Sequence, residues 1–279
     1  MKELNHKLNI DRSLKYVEIE TCSQCTRNCS WCLFGSNQVV RENFELLKDE
    51  YIYNVLFDLK EIGFSGTISL YSINEPLLDD RIRSGVLISE TRKILGESVA
   101  INLITNGDLL DLEIADTLFT CGLNRLNVSC YDNKMFEKIT RMKLADNRIR
   151  LLDQRRYAKG NWESNRSGFL NKKEDNPFTD FPCCMPFFRT VIGWDGNVRI
   201  CPHDMIGSVP LGNIKESRFL YILNSNVYTQ FREKLSLSRK DLMPCKHCNV
   251  DGSLKYALLH FIRETETKSI LKQLKNSNH

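Results

Sequence analysis

The apolar residues of the chain follow two rhythms that take turns. Residues 16–20, Tyr-Val-Glu-Ile-Glu, alternate with a period of two, as a strand with two unlike faces does. Over 45–63 the apolar positions Leu46, Leu47, Tyr51, Val55, Leu56, Leu59 and Ile62 recur at helical spacing, and Gly63 ends the run. The same alternation continues with strands at 67–72, 100–105, 125–130 and 148–153. Helices fall between them at 79–96, 112–122 and 134–142. Strands that alternate with helices predict a parallel sheet with right-handed crossovers and helices outside. Five such strands are too few for a complete eight-stranded barrel, so the pattern predicts a partial α/β barrel of about five to six strands. Its site belongs at the carboxyl ends of the strands.

Beyond 160 the rhythm breaks. Residues 161–180 are polar and irregular. Two β-rich runs, 187–194 and 197–201, flank Asp195-Gly196, a strong hairpin signal. A helix is predicted over 216–235, a tight loop at 244–248 and a closing helix over 254–275. These readings divide the chain into a partial barrel at 1–160, a linker at 161–180 and a small second domain at 181–279.

Composition narrows the class. The chain has 279 residues, 42% hydrophobic and 27% charged, an ordinary globular balance. No apolar run approaches the ~20 residues needed to span a bilayer, and the polar stretch 1–15 lacks the apolar core of a signal peptide. The expectation is a cytoplasmic protein without membrane association. The net charge of +4 is spread along the chain, which argues against nucleic-acid binding. The basic run 148–156 reads as a solvated face. In a reducing compartment, eleven cysteines point to metal binding or catalysis and away from a disulfide framework. Nine of them form two groups, one near each end.

The first group directly follows the first predicted strand. Cys25, Cys29 and Cys32 stand at spacings of four and three, and can wrap one soft metal centre while leaving a position open. With Cys22 they could instead form a four-thiolate zinc site, although zinc favours paired CxxC knuckles. The second group is Cys183, Cys184, Cys201, Cys245 and Cys248. A hairpin ending at Cys201 and a closing CxxC suit a four-thiolate centre, with Cys183 and Cys184 competing for one place. A structural zinc ribbon is the other reading of this segment. Cys121 and Cys130 read as core. Glu18 and Glu20 share one face of the first strand, and inward charges there must be paired or used. His203 suits either proton transfer or a supporting hydrogen bond.

The CxxxCxxC loop after the first strand of a β/α domain resembles the radical S-adenosylmethionine enzymes, over most of the chain. The resemblance implies that Cys25, Cys29 and Cys32 hold a [4Fe-4S] cluster whose remaining iron is chelated by S-adenosylmethionine. It implies that Trp31 lies along the adenine. Asn74-Glu75-Pro76 stands where the family has Gly-Glu-Pro, so Glu75 is expected on the methionine amine; Ile73-Asn74 departs from the family's glycines. Thr105-Asn106-Gly107 matches the end of the third strand, and Ser129 the ribose- or carboxylate-facing position of the fourth. The second group resembles the shortened auxiliary-cluster domain (SPASM/twitch) of some members, implying a second [4Fe-4S] cluster on Cys183, Cys201, Cys245 and Cys248. Cys183 is preferred because Cys183-Cys-Met-Pro186-Phe187 fits that domain's CxxP-aromatic pattern.

Within the superfamily the chain resembles the 2-deoxy-scyllo-inosamine dehydrogenases of aminoglycoside biosynthesis. The shared points are the short barrel, a single auxiliary cluster, and Ser164-Asn165-Arg166-Ser167-Gly168 between the domains. This implies an oxidoreductase that turns a secondary alcohol of a sugar, aminocyclitol or similar polyol into a ketone. Arg166 and Glu18 are its expected substrate-contacting residues, and an electron donor such as flavodoxin or ferredoxin its expected partner. A radical epimerase or peptide-modifying enzyme is the second expectation, and a zinc-stabilised binding module a minor third.

Overall fold

The computed structural model describes residues 13–36, 41–160, 164–170, 176–253 and 255. The helix expected over 254–275 therefore lies outside the described residues, save for Lys255. The element order is β1 (Tyr16–Ile19), α1 (Asp49–Glu61), β2 (Thr67–Ser69), α2 (Asp80–Arg83), α3 (Val86–Leu95), β3 (Ala100–Thr105), α4 (Leu112–Thr120) and β4 (Arg125–Cys130). There follow α5 (Asn133–Ala145), β5 (Ile149–Asp153), α6 (Arg155–Ala158), α7 (Met185–Phe188), β6 (Arg189–Ile192), β7 (Val198–Arg199), α8 (Phe219–Leu223) and α9 (Asn226–Leu235).

Among the described residues the strands form one seven-stranded sheet in the order β5-β4-β3-β2-β1-β6-β7. All pairings are parallel except β6 with β7. The curved parallel sheet with outer helices is the expected partial barrel. No helix of the described residues is long and apolar enough to cross a membrane.

The core lies between sheet and helices. Val17 and Ile19 of β1 are wholly buried, as are Ile52, Leu56 and Leu59 of α1 and Ile101, Leu103, Leu126 and Val128. The α1 residues follow the spacing that gives a helix one apolar stripe. Asp49 and Glu50 in its first turn and Lys60 in its last match the helix dipole. The expected start at 45 is four residues early. Leu46 instead bridges Cys22, and Ser23 N–H donates to Glu45 O at 2.9 Å, so the approach to α1 is spent on holding the segment after β1.

Three further differences have local causes. The helix expected over 79–96 breaks at Gly85, whose φ is +77°. A Cβ there would lie 2.4 Å from Cys121 Sγ, so only glycine fits this turn against α4. The helix expected over 216–235 breaks at Asn224-Ser225, and the Ser225 hydroxyl caps α9 at Tyr228 N–H. The hairpin around Asp195-Gly196 forms, and its first strand joins the sheet of the barrel. It pairs with β1 in parallel, from Tyr16 opposite Arg189 to Ile19 opposite Ile192. The sheet thus continues beyond 181, from β1 into β6 and β7.

Where β1 ends, Glu20 is fully buried. Arg41 Nη2 donates to its Oε1 at 3.0 Å and Arg199 Nη2 to its Oε2 at 3.4 Å. The Arg41 guanidinium lies between the rings of Phe34 and Trp194, 5.3 and 6.0 Å from their centroids. A buried carboxylate thereby ties the segment following the cysteine loop to the hairpin. Replacing Glu20 by Gln leaves two buried guanidiniums without a counter-charge. The expected cost is about 3–5 kcal/mol, read as a fall of roughly 6–15 °C in the thermal unfolding midpoint.

Candidate active site

The loop after β1 folds back on itself. Cys32 N–H donates to Cys29 O at 3.0 Å and Ser36 N–H to Cys32 O at 2.9 Å. A Cβ on Gly35 would lie 2.3 Å from the Cys29 amide nitrogen and carbonyl oxygen, so the turn closes only around glycine. Side chains then pin the loop to the carboxyl ends of β3 and β4. The Arg27 guanidinium forks onto Asp108, at 2.7–3.1 Å, and reaches Asp132 at 3.0 Å. Asn106 Nδ2 donates to Thr26 Oγ1 at 2.8 Å.

Cys25, Cys29 and Cys32 line a cavity of about 310 Å³ at this end of the sheet. Trp31, Glu75, Asn106, Ser129, Glu18 and Arg166 line the same cavity. The structure therefore brings together every residue expected near the first centre. Trp31 packs against Tyr131 and Tyr157, with ring centroids 5.3 and 6.4 Å apart. Glu75 is 1% exposed. Its Oε1 accepts from Leu77 N–H at 3.1 Å and Thr105 Oγ1 at 2.6 Å, and its Oε2 from Asn106 N–H at 2.8 Å. Burial pushes its carboxyl up to about 7 in spite of these donors.

The departure at Ile73-Asn74 is absorbed by the asparagine side chain. Asn74 Oδ1 accepts from Ser72 N–H at 3.0 Å, and Asn74 Nδ2 donates to Cys22 Sγ at 3.2 Å. Cys22 is wholly buried beneath this turn and does not line the cavity. It is not a fourth partner of the loop thiols.

Burial pushes the Cys25 thiol up to about 12 and the Cys29 thiol up to about 11. Such thiols do not ionise unless a cationic centre offsets the cost. Among the described residues no three His, Cys, Asp or Glu side chains converge tightly enough for a single metal ion. Three thiols lining one cavity are a soft donor set suited to an iron–sulfur cluster.

The second group of thiols lies along the hairpin and the closing loop. Burial raises Cys201 and Cys245, and the charges of the neighbouring thiols raise both further: Cys245, Cys248 and Cys183 act on Cys201, Cys183 and Cys248 on Cys245. Cys184 responds only to burial and to Arg239. Cys183, Cys201, Cys245 and Cys248 thus share one locality, and Cys184 acts on Cys183 as well. Arg239 is 1% exposed beside them. It donates to Val250 O at 2.6 Å and to Pro182 O at 3.3 Å, and its charge lowers the thiol pKa of Cys183 and Cys245. Nothing in the spacing of the cysteines flagged Arg239.

Between the two groups lies the segment at 164–168. Asn165 Nδ2 donates to His247 O at 2.6 Å, and Asn165 N–H to Asn249 Oδ1 at 2.8 Å, clipping it to the closing CxxC loop. Arg166, Ser167 and Gly168 have φ of +50°, +57° and +89°. For Arg and Ser this is strained backbone, of order 1–3 kcal/mol each, and the Asn165 clip holds it. Arg166 is thereby turned into the cavity, where it joins Pro202, His203 and Met205 from beyond Cys201. Ser164 Oγ lies 3.0 Å from His203 Nδ1.

Glu18 is not a lone carboxylate. Its Oε1 accepts from Arg189 Nε and pairs with Arg189 Nη2, and Arg189 itself lies 4.2 Å above the Tyr16 ring. Arg189 lines the cavity and was not singled out in the sequence. The only sequence-level signal was the unpaired inward charge on the first strand, which demanded a cation from somewhere.

Residues 19–156 match the radical SAM superfamily, and residues 183–249 match an iron–sulfur cluster-binding domain, SPASM. With a partial barrel, a three-cysteine loop after its first strand and a second thiol group, the chain belongs to the radical SAM superfamily and carries the auxiliary-cluster domain. These two domains imply S-adenosylmethionine and two iron–sulfur clusters as cofactors, and the two thiol groups fit such clusters. The chain is 27% identical to an S-adenosyl-L-methionine-dependent 2-deoxy-scyllo-inosamine dehydrogenase from Niallia circulans, over 86% of this chain and 94% of that protein. In fold it resembles the crystal structure of BtrN in complex with AdoMet and 2-DOIA, at a TM-score of 0.72 and 24% identity over 85% of this chain and 93% of that one. BtrN in an open conformation is also similar, at 0.65 and 22%, over 85% and 92% of the two chains.

Proposed function

We propose that the protein is a radical dehydrogenase that oxidises a secondary alcohol of a sugar, aminocyclitol or similar polyol to a ketone. The observation that carries this is a single cavity in which the three loop cysteines, Glu75, Arg166 and the Glu18–Arg189 pair all face the same space. The similarity to a dehydrogenase of a cyclic amino-alcohol, covering 86% of this chain and 94% of that one, supports the reaction class.

In this reading Cys25, Cys29 and Cys32 hold the first cluster. Glu75 receives the amine of S-adenosylmethionine, Trp31 flanks its adenine, and Asn106 and Ser129 face its remaining polar groups. Cys183, Cys201, Cys245 and Cys248 hold the second cluster. When bound, these groups supply a hydrogen-atom acceptor and, separately, an acceptor for one electron. The protein's own work is to place the substrate carbon, to take up the hydroxyl proton and to keep out water. Arg166 hydrogen-bonds the reacting hydroxyl and stabilises its oxyanion form, His203 on the same cavity takes up the proton, and the Glu18–Arg189 pair fixes the ring through neighbouring hydroxyls. The reading calls for an external one-electron donor such as flavodoxin or ferredoxin. An epimerase would need a thiol to return hydrogen to the substrate, and neither Cys22 nor Cys184 lines the cavity.

Three measurements test this reading. Anaerobic turnover with S-adenosylmethionine and candidate polyols is expected to give one ketone per 5′-deoxyadenosine; 5′-deoxyadenosine without ketone across the set would count against it. Replacing Cys183 by Ser is expected to lower iron from about eight to about four per chain, while Cys184→Ser leaves it unchanged. The Glu75 carboxyl, raised to about 7, is protonated below that pH and anionic above it. Affinity for S-adenosylmethionine, read by equilibrium dialysis, should therefore tighten as pH rises through about 7. The variant Glu75→Gln should bind at least about tenfold more weakly at pH 8 and lose that pH dependence.

A further inference from the structure

The charged groups lining the cavity differ in how they are matched. Arg27 is matched by Asp108 and Asp132. Glu75 is held by three donors and, under the proposed function, faces the amine of S-adenosylmethionine. The remaining charged residues are Glu18, Arg189 and Arg166, with His203 beside them. Glu18 and Arg189 form a close pair, 2% and 8% exposed at their side chains. Arg189 is fixed in place by its register opposite Tyr16 and by the Tyr16 ring beneath it. Among the described residues no carboxylate pairs with Arg166. The part of the cavity left for substrate thus offers one carboxylate, already engaged, against two guanidiniums.

We infer that the substrate is a hydroxylated compound without an ammonium group, neutral or anionic, and that Arg189 sets this selectivity by occupying Glu18. This rests on the dehydrogenase reading and narrows it. An ammonium group entering the cavity would meet the cation Arg166 and a carboxylate already neutralised by Arg189, and would have to displace Arg189 to find a counter-charge. A buried charge without a partner is strongly disfavoured. A carboxylate or phosphate would instead find Arg166 as a partner with donors to spare. Neutral hydroxyls bring no charge that needs matching and meet no such penalty. The chain would then differ from its Niallia circulans relative, whose name specifies an inosamine substrate.

The test uses the cluster-loaded enzyme with S-adenosylmethionine and matched probes on one ring: glucose, glucosamine and glucuronate. A second pair is 2-deoxy-scyllo-inosamine and its counterpart with hydroxyl in place of the amine. Two readouts are taken: ketone formation, and the rise in unfolding midpoint that each probe produces without reductant, which needs no turnover. The ammonium members are expected to show kcat/KM at least about tenfold below their neutral or acidic counterparts, and the smallest thermal shift. Arg189→Gln frees Glu18 and should move the amine-to-neutral ratio upward by at least about tenfold. If that variant does not fold, Glu18→Gln should shift selectivity further towards glucuronate, by about threefold or more. An ammonium probe that binds or reacts as well as its counterpart overturns the inference, as does a flat thermal-shift series or a ratio unmoved by either variant. A set with 5′-deoxyadenosine but no ketone would sink the dehydrogenase reading instead, and the thermal shifts would still decide the charge preference.

Discussion

Glu20 carries a full carboxylate into a place with no solvent, and the molecule is assembled around keeping it company. Its two oxygens accept from Arg41, which follows the cysteine loop, and from Arg199, which precedes Cys201 by two residues. Neither arginine is near Glu20 in sequence, yet a buried charge without partners is too unfavourable to persist. The requirement therefore draws the return path of the first cysteine loop and the hairpin of the second thiol group onto the end of one strand. Arg41 is further held between Phe34 of that loop and Trp194 of the hairpin turn.

The same economy of charge recurs around the cavity. Arg27 spans Asp108 and Asp132, so the loop bearing Cys25 and Cys29 is tied to two strand ends at once. Glu75 is surrounded by donors that preset its orientation. Asn165 clips the Arg166 turn onto the closing CxxC loop. Each functional side chain is positioned by an element other than its own. That is the condition for a site held in productive geometry before ligand arrives.

Much of this was legible in the sequence because it is local. The strands and helices of the first 153 residues follow from periodicity, with β3 and β4 falling at the expected bounds. The cysteine spacing and its place after β1 announced the site. What was not legible depends on pairing between distant segments. That β6 lies against β1 and brings Arg189 to Glu18 cannot be seen from a hairpin signal at Asp195-Gly196, since the two partners are 171 residues apart. The Gly85 break was in plain view, but an isolated glycine in a helical pattern is tolerated often enough that periodicity prevailed. The preference for Cys183 over Cys184 rested on a family pattern.

The position of β1 between β2 and β6 has a consequence for how the chain is made. During synthesis β1 emerges well before its second neighbour β6, whose Arg189 follows Glu18 by 171 residues. At roughly 5–20 residues per second, that interval is roughly 10–30 s. Throughout it the backbone of β1 presents an unpaired edge, with the apolar pair Val17 and Ile19 alongside the charges of Glu18 and Glu20. Those two acidic residues, later spent on arginines, are in the nascent chain the charges that guard an open edge against pairing with its neighbours. The pace of synthesis thus bears on this fold at β1.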